Sequence, residues 1–330
     1  MVKTTATSAT TYAAQRGVRG RKTLLKERVK LNDEKFVNGE GKKGLVLPVK
    51  TLKKYGEEET ESLNDEVVKL TDDVWLCRAA MNVEDCDRLV RGAITAAASG
   101  AMDRSATGAG SDEGRTSKTL PLTGVVLQSN TELNNGMDAI LRVMREFCSP
   151  FVNLSSVFVG EEGTLASDAM SKPSGPGSVR IELPQIARYG SGDFFKAHHD
   201  AFPSHVAASK GYQRIATLLI YLNDCESGGA TRFLALDAAD SPDDDDGGLA
   251  VRPVKGDALL FFPCGRTGSA EPDERAVHEA MPAFDEKWIA QVWLSTGIHT
   301  ENSSSSPSST SSSSSKPLSK AMRRRLKKKR

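Results

Sequence analysis

The chain has 330 residues, 38% of them hydrophobic and 26% charged, which is enough apolar matter to bury a real core in one large domain or two small ones. Its net charge of +1 hides a division: residues 1–26 hold six Lys/Arg and no acid, the last fifteen hold nine Lys/Arg and no acid, and the stretch between carries 29 basic against 43 acidic side chains. An acidic body with basic ends excludes a domain whose whole face neutralises nucleic-acid phosphates, and the sequence has neither the roughly twenty apolar residues of a membrane span nor the apolar stretch of a secretory signal.

The acid-free, Thr/Ala/Arg-rich opening has the composition of an organelle transit peptide or of a plain disordered arm. Residues 1–70 are mostly polar, with one short apolar run at 45–49 and a Glu-rich stretch at 57–61, and are expected to form a largely disordered or irregular extension. From Asp72 the pattern changes. Asn82 can cap a helix in which Cys86, Leu89, Val90, Ala93, Ile94 and Ala97 recur at three- and four-residue spacing, with Gly100 as its stop. After a Gly/Ser/Thr-rich loop, the spacing of Met137, Ile140, Leu141, Met144 and Phe147 predicts a second amphipathic helix over 131–148.

Beyond Cys148 the character turns to strands, with short apolar runs at 179–187, 215–222, 231–234, 249–254, 258–262 and 287–295 between Gly, Pro, Asp and Ser clusters. No helical pattern of crossover length separates them, so an antiparallel sandwich or jelly roll is expected rather than a parallel sheet. Residues 237–248, with four consecutive aspartates, read as a solvated loop, and residues 302–315, almost all serine, as a solvated linker. The closing octamer Arg323–Arg330 suits a nuclear-import or polyanion-binding tag, or a merely solubilising tail. Five cysteines without C-x-x-C spacing fit buried thiols in a reducing compartment. The expected organisation is therefore a domain over 71–300 followed by a tail over 301–330, located in the cytoplasm or nucleus, or in an organelle if the opening is a transit peptide, and neither secreted nor bound to a membrane.

The five histidines are His198, His199, His205, His278 and His299. Side chains two apart on a strand share a face, so His198 and Asp200 project together while His199 points away. A second strand bringing His278 would complete two imidazoles and one carboxylate, the set that covers one face of an octahedral iron(II) ion and leaves three positions open. Alone, the pattern also fits surface histidines. Its neighbours are ordered, however: Tyr189-x-x-Gly192-x-x-Phe195-x-x-His198-x-Asp200, then Arg214 to Asn223, Gly228-Gly229-Ala-Thr231-Arg-Phe233, Pro253-x-x-Gly256-Asp257, His278-x-x-x-Pro282, and Lys287-Trp288 to Trp293.

Over about 72–296 this series resembles the prolyl 4-hydroxylase branch of the iron(II)/2-oxoglutarate dioxygenases, most of all the algal and plant type. The resemblance implies a mainly β, α+β fold: a double-stranded β-helix of jelly-roll or cupin kind with N-terminal helices packed on it. It implies Fe(2+), 2-oxoglutarate and O2 as cofactor and co-substrates, with ascorbate as accessory, and hydroxylation of a peptidyl residue, proline first, with release of succinate and CO2. Residue by residue it implies His198, Asp200 and His278 as iron ligands, Lys287 as partner of the distal 2-oxoglutarate carboxylate, and Tyr221 as a hydroxyl contact to the same group. A desolvated carboxylate needs a charged partner of that kind. On the substrate side the resemblance implies Arg115 and Ser117 of a loop, Glu182 of an E-x-x-Q run, Arg214 and Trp293. The implied partner is a proline-containing peptide or protein, and the basic tail is read as binding an import receptor or a polyanion.

The chain departs from the family pattern at Phe195, where tyrosine is usual, at Ser295, where histidine is common, and at Asp285-Glu286, where Gly-x is usual. These departures bear on substrate more than on chemistry. Two further readings remain beside the main one: a binding module that kept the fold and lost the reaction, and a dioxygenase acting on nucleic acid, for which the R-x-N-x-T-x-R run of base-demethylating relatives is missing.

Overall fold

The computed structural model describes residues 67–105, 114–236, 248–266 and 270–298. The opening arm, the aspartate run, His299, the serine linker and the basic octamer therefore lie outside the described residues, apart from Gly248 at the edge of the aspartate loop. In chain order the strands and helices are β1 (Val67–Thr71), β2 (Val74–Cys77), α1 (Val83–Ala98), β3 (Asp103–Arg104), β4 (Lys118–Pro121), α2 (Gly124–Gln128) and α3 (Thr131–Val143), which runs into a π turn at Met144–Cys148. Then come β5 (Phe158–Val159), β6 (Thr164–Leu165), β7 (Val179–Ile181), β8 (Gln185–Tyr189), β9 (Phe195–His198), α4 (Ser204–Lys210) and β10 (Tyr212–Tyr221). The last are β11 (Thr231–Phe233), β12 (Leu249–Val251), β13 (Ala258–Phe261), β14 (His278–Ala280) and β15 (Lys287–Gly297).

The strands form two antiparallel sheets of the double-stranded β-helix. The larger runs β1-β2-β13-β10-β15-β8-β4-β3, with β7 also on β15, and the smaller runs β12-β11-β14-β9. Both faces of the larger sheet are covered at its centre, so β10 and β15 read as continuous apolar runs, as a strand buried on both sides does. Alternation survives as a division of labour. Trp288, Ala290, Val292 and Leu294 of β15 join the core under the helices, together with Ala216, Leu218 and Ile220 of β10. Lys287, Ile289 and Gln291 of β15, with Thr217 and Leu219 of β10, face a cavity on the other side.

The two expected helices cover that core. Asn82 caps α1 by accepting from the Asp85 N–H at 2.8 Å, and Gly100, at φ +77°, follows its last turn. Asp85 also accepts from Arg142 of α3 at 2.7 Å, tying the helices together. They approach closely because Gly136 has no side chain: a β-carbon there would stand 2.3 Å from Leu89 Cδ2. Asn130 caps α3 through the Leu133 N–H at 3.1 Å, and the expected helix over 131–148 keeps its length but loosens into the π turn in its last five residues.

The run expected as one strand over 179–187 is two strands. Pro184 has no N–H to give a ladder, and the chain breaks there, so β7 pairs the far half of β15 (Ile181 opposite Leu294) while β8 pairs its near half (Gln185 opposite Gln291). β1, β2 and β4 are not among the strands expected from the sequence; β1 begins at Val67, inside the extension expected to be irregular, and pairs with the wholly buried β2, and the three close the larger sheet on its two sides. All five cysteines are buried and unpaired with one another. No helix among the described residues is long and apolar enough to cross a membrane.

Leu89 is fully buried where α1 meets α3. Leu89→Ala is expected to lower stability by about 2–5 kcal/mol through the cavity it leaves, read as a shift of the urea midpoint at unchanged slope; a change below about 0.5 kcal/mol would contradict the packing described.

Candidate functional site

His198 ends β9 and His278 begins β14, and the two stand directly opposite each other in the antiparallel ladder. Their rings lie 4.3 Å apart. Asp200 follows β9 by two residues and turns its carboxylate toward both. Its Oδ1 is 3.6 Å from His198 Nε2 and its Oδ2 3.9 Å from His278 Nε2. These separations exceed a hydrogen bond, and the ligand atoms of the three residues all lie within 4.8 Å of one another. Such an arrangement has room for a cation between its members. His199 turns the other way, its Nε2 at 3.4 Å from Glu274 Oε1.

The protonation of the set suits a metal. His198 Nδ1 lies 2.7 Å from the Lys196 carbonyl and His278 Nδ1 3.0 Å from the Ala276 carbonyl. A carbonyl only accepts, so each Nδ1 carries a proton, which leaves Nε2 as the ligand atom that each ring turns toward Asp200. Burial, with His198 alongside, pushes His278 down to about 4, so it is neutral at pH 7. Burial works against charge on Asp200, but His278, His198 and Arg214 outweigh it and hold the carboxyl well below the usual carboxylate range. The Thr217 hydroxyl, from β10, donates to Asp200 Oδ2 at 2.7 Å and fixes the carboxylate's rotation.

The cavity beneath this set encloses about 390 Å³, part of it open to solvent. At its other end lies Lys287, 1% exposed. Its Nζ donates to the Gly229 carbonyl at 2.6 Å and stands 5.0 Å from the centre of the Tyr189 ring. Gly229 takes φ +68°, and a β-carbon there would stand 2.7 Å from Cys225 Sγ and 3.3 Å from Lys287 Cδ, so only glycine brings its carbonyl to the ammonium. Burial pulls Lys287 down to about 8. No carboxylate among the described residues lies within ion-pair distance of it. A buried ammonium with donors to spare is a receptor for an anionic group.

Tyr221 follows Thr217 and Leu219 on the same face of β10, fully buried, with its ring centre 5.9 Å from Lys287 Nζ. Its hydroxyl donates to Thr231 Oγ1 at 3.0 Å, and Thr231 lines the wall. Tyr189 lines the wall itself, opposite Lys287 in the ladder, together with Gln291. The sequence marked Tyr189 and Thr231 only as landmarks and gave no signal for Thr217 or Gln291, because which strand residues face a shared cavity depends on pairings across the sheet.

The remaining residues singled out from sequence form two clusters flanking the histidines. Arg214 grips Glu182 with two bonds, Nε to Oε1 at 2.6 Å and Nη2 to Oε2 at 2.5 Å. Its guanidinium lies 3.9 Å from the Trp293 ring centre and 4.6 Å from that of Phe202, and its Nη1 donates to the Asp200 carbonyl at 3.2 Å. Ser295 also donates to Glu182, at 3.3 Å. On the other side Arg115 Nε donates to Ser117 Oγ at 2.7 Å, and its guanidinium covers Phe195 at 4.6 Å. Phe195 in turn stacks on His198 with ring centres 3.6 Å apart. The phenyl ring that stands where the family pattern has tyrosine thus buttresses an imidazole and seats a guanidinium.

Residues 184–295 match the family model of the 2OG-Fe(II) oxygenase superfamily. Over this stretch the chain is similar to 2OG-Fe(II) oxygenases of the prolyl 4-hydroxylase kind. Prolyl 4-hydroxylase 1 of Arabidopsis thaliana is 39% identical over 118 residues, 34% of this chain and 40% of that protein. Prolyl 4-hydroxylase 2 of the same plant is 37% identical over 121 residues, 33% of this chain and 40% of that protein. The chain thus spans about 40% of the length of the curated relatives it matches. Among solved structures, the viral collagen prolyl hydroxylase of Paramecium Bursaria Chlorella virus-1, as its 2OG complex, aligns at TM-score 0.44 and 20% identity over 68% of this chain and 96% of that one. The matched stretch contains His198, Asp200, His278 and Lys287.

Thr217→Val removes the donor to Asp200 while keeping the side chain's volume. Divalent-metal affinity, titrated with manganese(II) by calorimetry, is expected to fall about 10- to 100-fold, the usual effect of losing a hydrogen bond that orients a ligand. Thr217→Ser is expected to retain it; equal affinity in the two variants would show that the hydroxyl positions nothing.

Proposed function

We propose that the chain is an iron(II)- and 2-oxoglutarate-dependent dioxygenase that hydroxylates peptidyl proline, releasing succinate and CO2. One observation carries the reading: a cavity with two imidazoles and a carboxylate at one end and, at the other, a buried ammonium with no carboxylate partner among the described residues. That is a receptor for a metal-chelating dicarboxylate laid between them. His198, Asp200 and His278 hold the iron in this reading. Lys287, backed by the Gly229 carbonyl, receives the distal carboxylate, with Thr231 and the Tyr221 hydroxyl that bonds to it close by. Iron(II), 2-oxoglutarate and O2 together supply an oxidant strong enough to cleave an unactivated C–H bond, and ascorbate keeps the metal reduced.

The protein's share is to bind, orient and keep water out. The buried Arg115 Nη2 and Trp293 Nε1 have no hydrogen-bond partner among the described residues. Buried donors of this kind call for acceptors, and the carbonyls of an extended peptide supply them. Arg115 with Ser117, and Glu182 with Arg214 and Trp293, form the two walls of that peptide's groove. We read the basic octamer as an import or polyanion address, consistent with a place in the cytoplasm or nucleus.

His198→Ala and Asp200→Ala are each expected to abolish succinate formation coupled to a proline-containing peptide, measured by mass spectrometry; near-wild-type turnover in either variant refutes the ligand set. The dicarboxylate reading also predicts a pH dependence. Lys287 loses its proton as pH rises through about 8, so carboxylate binding above that point must take up a proton. The apparent KM for 2-oxoglutarate is expected to rise about tenfold per pH unit above 8 and to stay flat below it. Lys287→Ala should raise it about 10- to 100-fold, in line with a charge-assisted hydrogen bond of roughly 1.5–3 kcal/mol, and remove the pH dependence.

A further inference from the structure

Lys287, Ile289, Gln291 and Trp293 share one face of β15. Across the ladder β10 sets Tyr221 opposite Ile289, Leu219 opposite Gln291 and Thr217 opposite Trp293. Thr217 is the residue that donates to Asp200, so Gln291 stands one position on this face from the level of the metal set and two from Lys287. Its neighbours Ala290 and Val292 are buried in the core under the helices, which fixes the direction of the Gln291 side chain. Gln291 is 8% exposed and lines the cavity, whereas Arg115, Glu182, Arg214 and Trp293 of the groove do not.

The polar side chains of the cavity differ in what holds them. Thr217 is engaged by Asp200, Thr231 by Tyr221 and Lys287 by the Gly229 carbonyl, and Tyr189 stands at the Lys287 end. The Gln291 carboxamide, with two donor hydrogens and an acceptor oxygen, makes no hydrogen bond with any of the described residues. A polar group this buried calls for a partner, and what the protein leaves unheld is held by what fills the cavity. A dicarboxylate laid from Lys287 to the metal set brings its second carboxylate to the level of Gln291. A 2-oxo acid that chelates through its oxo group and one carboxylate oxygen leaves the other oxygen off the metal, and a desolvated anionic oxygen needs a donor. Leu219 and Phe261 on the nearby wall have none to give. Gln291 has two.

We propose that Gln291 binds the co-substrate, its Nε2 donating to the carboxylate at the metal end of the 2-oxo acid. The inference rests on the oxygenase reading above and deepens it by assigning a residue to the end of the acid that Lys287 does not serve. The two residues divide the molecule between them: a charged donor meets the distal carboxylate, and a neutral one meets the carboxylate beside the metal. Neutrality suits that place. A cationic side chain there would repel the metal ion, and a carboxylate would repel the acid.

The test loads the full chain with manganese(II) and titrates it by calorimetry with 2-oxoglutarate and with 2-oxopentanoate, the same oxo acid without the distal carboxylate. Weak binding is measured by competition against 2-oxoglutarate. Gln291→Leu is expected to lower the affinity for both acids by the same factor, about 10- to 100-fold, as loss of a charge-assisted hydrogen bond does, while manganese(II) affinity keeps its wild-type value. Gln291→Glu, which keeps the size and puts a carboxylate in place of the donor, is expected to lose at least as much. Lys287→Ala should weaken 2-oxoglutarate and leave 2-oxopentanoate unchanged. Undiminished 2-oxoglutarate binding in either Gln291 variant overturns the inference. So does a loss confined to 2-oxoglutarate, which would place the amide at the distal end, or a parallel loss of manganese(II), which would make Gln291 part of the metal's scaffold. The oxygenase reading survives all three of these results. It falls if the wild-type chain, loaded with manganese(II), binds neither acid.

Discussion

The site depends on one hydrogen-bonded ladder. Because β9 and β14 are antiparallel neighbours with His198 opposite His278, two imidazoles far apart in the chain share a face of the smaller sheet, and Asp200 needs only to follow two residues later to meet both. A slip of one residue would turn one histidine to the opposite face. The register is fixed on both sides of that pair: Phe195 stands opposite Ala280 and stacks on His198, and Phe233 of β11 stands opposite His278.

The larger sheet serves a different need. β10 and β15 must bury one face against α1 and α3 while presenting the other to a partly polar cavity. Their alternation does both: Ala290 and Val292 pack under the helices, and Lys287, Ile289 and Gln291 face inward. Charged and polar groups are affordable on that inner face only where they are held. Lys287 has the Gly229 carbonyl, and Asp200 has the Thr217 hydroxyl and the nearby imidazoles. The outcome is a cavity anionic at one end and cationic at the other, which selects ligands by charge placement before shape.

Around the mouth, guanidiniums do the positioning. Arg214 is locked by Glu182 and stacked on Trp293, and Arg115 lies over Phe195. Each is held through aromatic faces as well as hydrogen bonds, a mode that lysine would not reproduce. Ser295 and Phe195, two of the three departures from the family pattern, both belong to these clusters, one donating to Glu182 and the other bridging Arg115 to His198. The chain thus keeps His198, Asp200, His278 and Lys287 of the pattern it resembles and departs from it in side chains that pack beside them.

Local chemistry alone determined much of this protein. Asn82 and its three- and four-residue apolar spacing fixed α1, the dense apolar runs fixed β10, β13 and β15, and the spacing of His198 and Asp200 set them on one side of the chain with His199 on the other. These features rest on helix and strand periods, which are properties of neighbouring residues. What only the tertiary structure decided is which of several strand residues face each other. The ladder brought His278 to His198, joined the Tyr221 hydroxyl to Thr231, and set Thr217 against Asp200. Strand period says that a side chain points up or down, but cross-strand pairing and sheet closure decide what it meets there, and those are set by contacts between residues distant in the chain.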